Sequence, residues 1–262
     1  MLLAVDVGNT QTHLGAFDGA SLVEHWRAAT EAEATTDELA TRLAALLALR
    51  GIGFDSIMGA IVSSVVPQLT PGYAEMSERY LDSRCLIVGP GVRTGMPIRL
   101  ENPRELGADR LVNAVAAYDR FGGTCAVVDF GTAVTFDAVS ADGEYVGGVI
   151  GPGVAISMEA LATRTAKLPP IELGESPPPA QVIGRSTQTS LQSGIVYGFA
   201  GAVDAIARRV QRELGAETSF IATGGHAHAI VPYCETIDEI DDLLTLTGLR
   251  LIWEMNEGAD GK

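Results

Sequence analysis

A chain of 262 residues is long enough for one large domain or two modest ones around a buried core. Apolar residues (47%) outweigh charged ones (19%), which excludes a disordered chain, and no apolar run reaches the roughly eighteen residues of a membrane span. The net charge of −15, from 33 acidic against 18 basic residues, argues against nucleic acid or an anionic membrane as a partner. It leaves open a small anionic substrate held by local N–H groups and a cation.

The chain opens on Leu2-Leu-Ala-Val-Asp6-Val-Gly8-Asn9-Thr10-Gln11-Thr12-His13, followed by a second apolar run to Phe17. This pattern predicts a strand, a tight turn after Asp6, and a second strand. Asp6 also interrupts the N-terminal apolar run too early for a secretory leader, so the cytoplasm is the expected compartment. Three widely spaced cysteines, Cys85, Cys125 and Cys234, form neither a disulfide framework nor a zinc spacing. His25 to Ala34 reads as a third strand running into an acidic loop. Thr35-x-x-Glu38 has capping-box form, and Leu39, Leu43, Leu46 and Leu47 then recur at helical spacing up to Gly51. A strand over 57–66, a helix over 70–81 and a strand over 85–88 follow. Ser63 and Ser64, at the end of the first of these, are either near the site or simply part of a turn.

Glu101-Asn-Pro103-Arg-Glu-Leu-Gly107-Ala108-Asp109-Arg110 contains little that a structural role requires, and it opens an Ala-rich helix reaching about Phe121. A carboxylate at Asp109 could take a proton from a substrate hydroxyl, and Arg110 could pair with an anionic oxygen. The helix leads into Ala126-Val-Val-Asp129-Phe-Gly131-Thr132-Ala-Val-Thr135-Phe-Asp137, which repeats the first hairpin. A lone Asp-x-Gly is a common turn. Two copies, each after an apolar strand and each followed by hydroxyl residues, point to phosphate-facing turns on either side of one cleft.

Beyond it come a strand and glycine turn over 145–153 and a helix through Ala162. Five of the twelve prolines lie between Lys167 and Pro179, where an extended flap is expected. Thr187 starts a long helix to Leu214, as its cap or as part of an anion site. Phe220 to Gly225 is a strand and glycine turn. His226-x-His228 has no third ligand nearby and predicts no metal site. Leu243 to Trp253 alternates loosely and is expected on the second domain. The element order is one mixed α/β unit used twice, with the boundary expected at 117 (domains 1–117 and 118–262).

The ordered set Asp6-Val-Gly-Asn-Thr10, Ser63-Ser-Val-Val-Pro67, Asn102-Pro103, Gly107-Ala-Asp109-Arg110, Asp129-Phe-Gly-Thr132, Gly147-Gly148, Pro152-Gly153, Thr223-Gly-Gly225 and Leu244-Thr-Leu-Thr-Gly-Leu249 resembles the type III pantothenate kinases over nearly the whole chain. The resemblance implies an α/β fold of duplicated ribonuclease-H-like (actin-like ATPase) domains with a nucleotide cleft between them. It implies ATP-dependent phosphorylation of pantothenate in coenzyme A biosynthesis, with Mg²⁺, a monovalent cation (K⁺ or NH₄⁺) and a homodimer. By position, Asp6, Val7, Gly8, Asn9, Thr10, Gln11, Thr12 and His13 would hold the ATP phosphates, together with Thr132. Gly107, Ala108, Asp109, Arg110 and Thr187 would contact pantothenate, with Asp109 as general base, and Asp129 would bind the monovalent cation. One departure is Leu100, where the family often carries a tyrosine that contacts the substrate. The alternative is a regulator of the same fold, an accessory factor for transcription that binds ATP without turnover. The presence of Asp6, Asp109 and Asp129 favours the kinase.

Overall fold

The computed structural model describes residues 1–173 and 181–257. Contacts divide the chain into two compact units. One comprises Met1–Pro97, Glu101–Ala116 and the end of the chain from Leu243; the other comprises Ile98–Leu100 and Ala117–Asp242.

The first unit is built on a five-stranded sheet. β1 (Leu2–Val7) pairs antiparallel with β2 (Gln11–Asp18), which pairs with β3 (Ser21–Ala29). On its other side β1 runs parallel to β4 (Gly59–Ser64), which runs parallel to β5 (Arg84–Ile87), giving the order β3-β2-β1-β4-β5. One sheet face carries Leu3, Val5, Val7 and Leu14. It packs with Leu39, Leu43 and Leu47 of α1 (Thr36–Ala48) and with Tyr73 and Met76 of α2 (Thr70–Tyr80). The Thr35–Glu38 capping box is complete: Glu38 N–H donates to Thr35 Oγ1 (3.3 Å) and Thr35 N–H to Glu38 Oε2 (2.8 Å). Thr35→Ala removes half of that exchange and is expected to lower stability by about 1 kcal/mol, read from a urea midpoint.

The other face is covered by α7 (Leu244–Asn256), the end of the chain. The stretch expected as loosely alternating on the second domain is thus a helix on the first sheet. Small residues on α7 and on its partners make this possible. Gly15 admits Leu246, Gly59 lies against the Trp253 ring, and Gly248 crosses the backbone of Val112 so closely that a Cβ would be 2.9 Å from Val112 C. Asn256 fastens the helix end: its Nδ2 donates to Arg93 O (2.8 Å) and its Oδ1 accepts from Arg93 N–H (3.2 Å). Burial of Leu244, Leu246, Leu249 and Ile252 contributes about 2 kcal/mol each.

The second unit repeats the plan with the order β10-β9-β6-β7-β8. β6 (Cys125–Phe130) is antiparallel to β7 (Ala133–Val139), and β7 to β8 (Tyr145–Pro152). β6 is parallel to β9 (Ser219–Thr223), and β9 to β10 (Glu239–Ile240). Its core joins Val128, Phe130, Val134, Phe136 and Phe220 to Ile195, Val196, Ala200 and Val203 of the helix at Thr187–Leu214. That helix is α5, preceded by α4 (Val154–Arg164); α6 (Ala227–Ile230) follows β9. α3 (Ala108–Phe121) carries the division between the units at 116/117. Cys125 is fully buried, its thiol pushed up to about 12 by burial, so it serves as a small core residue.

Two boundaries differ from the sequence expectation. β3 begins at Ser21 instead of His25, because the chain turns directly after Asp18 and Ser21 already pairs with it, and its half-buried residues alternate from Leu22 to Ala28. The proline-rich flap falls partly at 174–180, outside the described residues. No helix among the described residues is long and apolar enough to cross a membrane.

Candidate active site

In the first unit β1 and β2 meet at a turn closed by Gly8, whose N–H donates to Gln11 O (3.0 Å). A Cβ on Gly8 would sit 2.9 Å from that oxygen, so a side chain there would open the turn. Asn9, Thr10 and Gln11 form the exposed tip, and Thr30 N–H ties it to β3 by donating to Thr10 O (3.0 Å). Register places Asp6 opposite His13 on one side and Ser63 on the other, so these three side chains share a face. Val7 and Thr12 point to the opposite face. Thr12 is buried there, its hydroxyl 2.9 Å from that of Thr30, so its side chain is committed away from Asp6 and His13. Of the serine pair, Ser64 is a turn residue: its Oγ accepts from Val66 N–H (3.1 Å) and donates to Val66 O (3.0 Å). Ser63 is wholly buried beside Asp6, and its hydroxyl has no hydrogen-bond partner among the described residues.

Asp109 lies in the first turn of α3, and its Oδ1 accepts from Arg110 N–H (2.8 Å). Gly107 makes room for it, since a Cβ there would come to 2.5 Å from Asp109 Oδ1. Burial pushes the Asp109 carboxyl above its ordinary value, against the opposing pull of the Arg110 N–H and guanidinium. A partly buried carboxylate with a raised pKa is a suitable proton acceptor. The preceding segment does have structural work: Asn102 accepts from Arg104 N–H (3.3 Å) and donates to Glu105 (2.8 Å). Sequence reading missed Asn113, one turn beyond Asp109. It is buried, and its Oδ1 accepts from Thr245 Oγ1 (2.7 Å). An amide on an otherwise Ala- and Val-rich helix face was the available signal.

In the second unit Asp129 stands at the end of β6, before the turn Gly131-Thr132. Its carboxylate is enclosed by glycines: a Cβ on Gly131 would be 3.3 Å from Asp129 Oδ1, and one on Gly224 would overlap it. Thr132 is exposed at the tip, and its backbone rests on Gly153, where a Cβ would lie 2.7 Å from Thr132 C. Thr187 is the first residue of α5 but not its cap. Ser186 is the cap: its Oγ accepts from Thr189 N–H (3.2 Å), and Thr189 Oγ1 accepts from Ser186 N–H (3.0 Å). The Thr187 side chain is left exposed beside Gly184, Arg185 and Ser190. His228 Nε2 lies 2.9 Å from Asp242 Oδ2, and among the described residues no group of three or more His, Cys, Asp or Glu side chains is arranged to hold a metal.

The structure therefore gathers Asp6 with His13 at one strand end, Gly107 with Asp109 and Arg110 at one helix start, and Asp129 with Gly131 and Thr132 at a second strand end. Residues 2–209 match the family model of the type III pantothenate kinases. The chain is 50% identical over 259 residues to the type III pantothenate kinase of Myxococcus xanthus, covering 99% of this chain and 100% of that one. Among solved structures, one named for a Baf family transcriptional activator from Campylobacter jejuni aligns with a TM-score of 0.57 at 16% identity, over 97% of this chain and 98% of the other. One named for an N-acetylglucosamine kinase from Porphyromonas gingivalis aligns with a TM-score of 0.54 at 14% identity, over 98% and 100%. At such identities these two speak for the fold alone, a duplicated ribonuclease-H-like unit built on two five-stranded sheets. The chain belongs to the type III pantothenate kinase family.

Proposed function

We propose that the protein transfers the γ-phosphoryl group of ATP to the terminal hydroxyl of pantothenate, giving 4′-phosphopantothenate and ADP at the start of coenzyme A biosynthesis. The observation that carries this reading is Asp109: a carboxylate with a raised pKa, given space by Gly107 and neighboured by Arg110, in a chain 50% identical to a named member of the family. Asp109 takes the hydroxyl proton as the substrate oxygen forms its bond to the γ-phosphorus and the bond to the β-phosphate oxygen breaks. Arg110 and Thr187 hold pantothenate, with Gly107 and Ala108 supplying close backbone approach. The Asp6–His13 turn and Thr132 cradle the phosphates through backbone N–H groups and hydroxyls.

Asp6 and Asp129 are partly exposed oxygen donors beside glycine turns, a donor set that suits hard cations. Asp129 is the proposed ligand of a monovalent cation, K⁺ or NH₄⁺. Mg²⁺, when bound with ATP, neutralises phosphate charge, which matters in a chain of net charge −15. A cytoplasmic homodimer acting on small molecules, with neither nucleic acid nor membrane as partner, completes the reading.

The test is ADP release with MgATP and pantothenate, in KCl and again in NaCl. Turnover should require pantothenate and fall sharply in NaCl. Absence of turnover in either salt, with ATP still bound, would overturn the kinase reading in favour of the regulator.

A further inference from the structure

Asp129 is the centre of a transverse row in the second sheet. Register sets Thr135 of β7 directly beside it on one side and Thr223 of β9 on the other. Side chains of directly paired residues leave the same face about 5 Å apart. Two residues along β7, on that same face, Asp137 is 0% exposed. It accepts hydrogen bonds from the Tyr145 hydroxyl at Oδ1 (2.6 Å) and from the Thr135 hydroxyl at Oδ2 (3.2 Å), and Tyr145 is itself fully buried.

A wholly buried carboxylate is costly, and the fold does not need one here. The first sheet is the control, because the paired strands of the two hairpins correspond by register, although the first turn is one residue longer. Asp6 faces His13 as Asp129 faces Thr135, and Ala4 faces Gly15 as Val127 faces Asp137. Where the second unit has Asp137, the first has a glycine that packs against Leu246. The carboxylate therefore has a local task.

That task follows from the chemistry of a hydroxyl, which has one proton and two lone pairs. With its proton turned to Asp137, Thr135 can offer only lone pairs elsewhere. Asp129 and Thr135 are both partly exposed, so two oxygen acceptors lie side by side at the strand end. We propose that Asp137, braced by Tyr145, is a positioning residue that fixes Thr135 as an acceptor, so that Thr135 Oγ1 joins Asp129 as an oxygen ligand of the bound cation. This rests on the placement of a cation at Asp129 given above.

The test uses the full chain and reads binding, without turnover. The melting temperature with ADP and Mg²⁺ is followed as KCl replaces NaCl at constant ionic strength, for wild type, Thr135→Val, Thr135→Ser and Asp137→Asn. Valine keeps the shape of threonine and loses the hydroxyl; serine keeps the hydroxyl. The KCl midpoint should rise about tenfold or more in Thr135→Val, rise in the same direction in Asp137→Asn, and stay near wild type in Thr135→Ser. A wild-type midpoint in Thr135→Val overturns the inference. So does a shift of equal size in Thr135→Ser, which would mark a packing effect. A wild type that does not distinguish KCl from NaCl removes the cation reading at Asp129 itself, and the inference with it.

Discussion

Asp109→Asn is expected to lower kcat by about a thousandfold while raising the melting temperature. The loss follows from removing the proposed proton acceptor in the first turn of α3; a positioned general base contributes roughly 10²–10⁴-fold. The gain follows from linkage. Burial raises the folded-state pKa of Asp109, so between its ordinary value and the raised one the folded protein binds more protons than the unfolded chain. Stability therefore falls as pH rises through that window, and at neutral pH the ionised carboxylate opposes folding. Asparagine keeps an oxygen that can accept from Arg110 N–H, as Asp109 Oδ1 does at 2.8 Å, and carries no charge to bury. Calorimetry with ADP should show nucleotide affinity largely unchanged. In the wild type, kcat/KM should decline on acidification through a pKa above the usual aspartate value. Turnover within tenfold of wild type in the asparagine variant would remove Asp109 from the role of base.

Gly224→Ala is expected to cost about 3 kcal/mol of stability or more and to abolish the cation response. Gly224 has φ = +94°, a conformation that L side chains rarely adopt, and its Cβ would lie 2.6 Å from Phe130 C and 2.7 Å from Phe130 N. Backbone strain and overpacking each cost about 1–3 kcal/mol. The same Cβ would overlap Asp129 Oδ1, so relief requires moving the carboxylate. Gly225→Ala is the matched control: a Cβ at Gly225 meets nothing within 4 Å, and its φ is not in the left-handed region. Urea unfolding of the pair should separate them by at least about 2 kcal/mol. Equal midpoints would show that β9 shifts to accept the methyl and that Asp129 is not held by the glycine.

Much of this was legible in the sequence, because local signals agree with the fold. Both hairpins announce themselves through an apolar strand, an aspartate, a glycine and hydroxyls, and α1 through a capping box and leucine spacing. The place of Asp109 in the first turn of α3 was readable from Gly107 before it and the Ala-rich run after it. The partner of α7 was not. Its apolar spacing would suit either sheet, and the complementary signal is the absence of side chains at Gly15, Gly59 and Gly248, which has no periodicity. Nor was the commitment of Thr12 to Thr30 visible, since a hydroxyl after a glycine turn reads the same on either face. Asp137 closes the second hairpin stretch, and the sequence attached no role to it. Its burial depends on Tyr145, eight residues away on the neighbouring strand.

The return of α7 to the first sheet sets the order in which the chain can mature during synthesis. The second unit is almost contiguous, and nearly all of it has been translated by Asp242. The first unit, begun at Met1, still lacks the helix that covers one face of its sheet until Leu244–Asn256 leaves the ribosome. The usual N-terminal-first sequence is thereby reversed. The half that is made first is finished last, and a nascent chain stalled before residue 244 presents the bare sheet around Gly15 and Gly59 to the cell's chaperones.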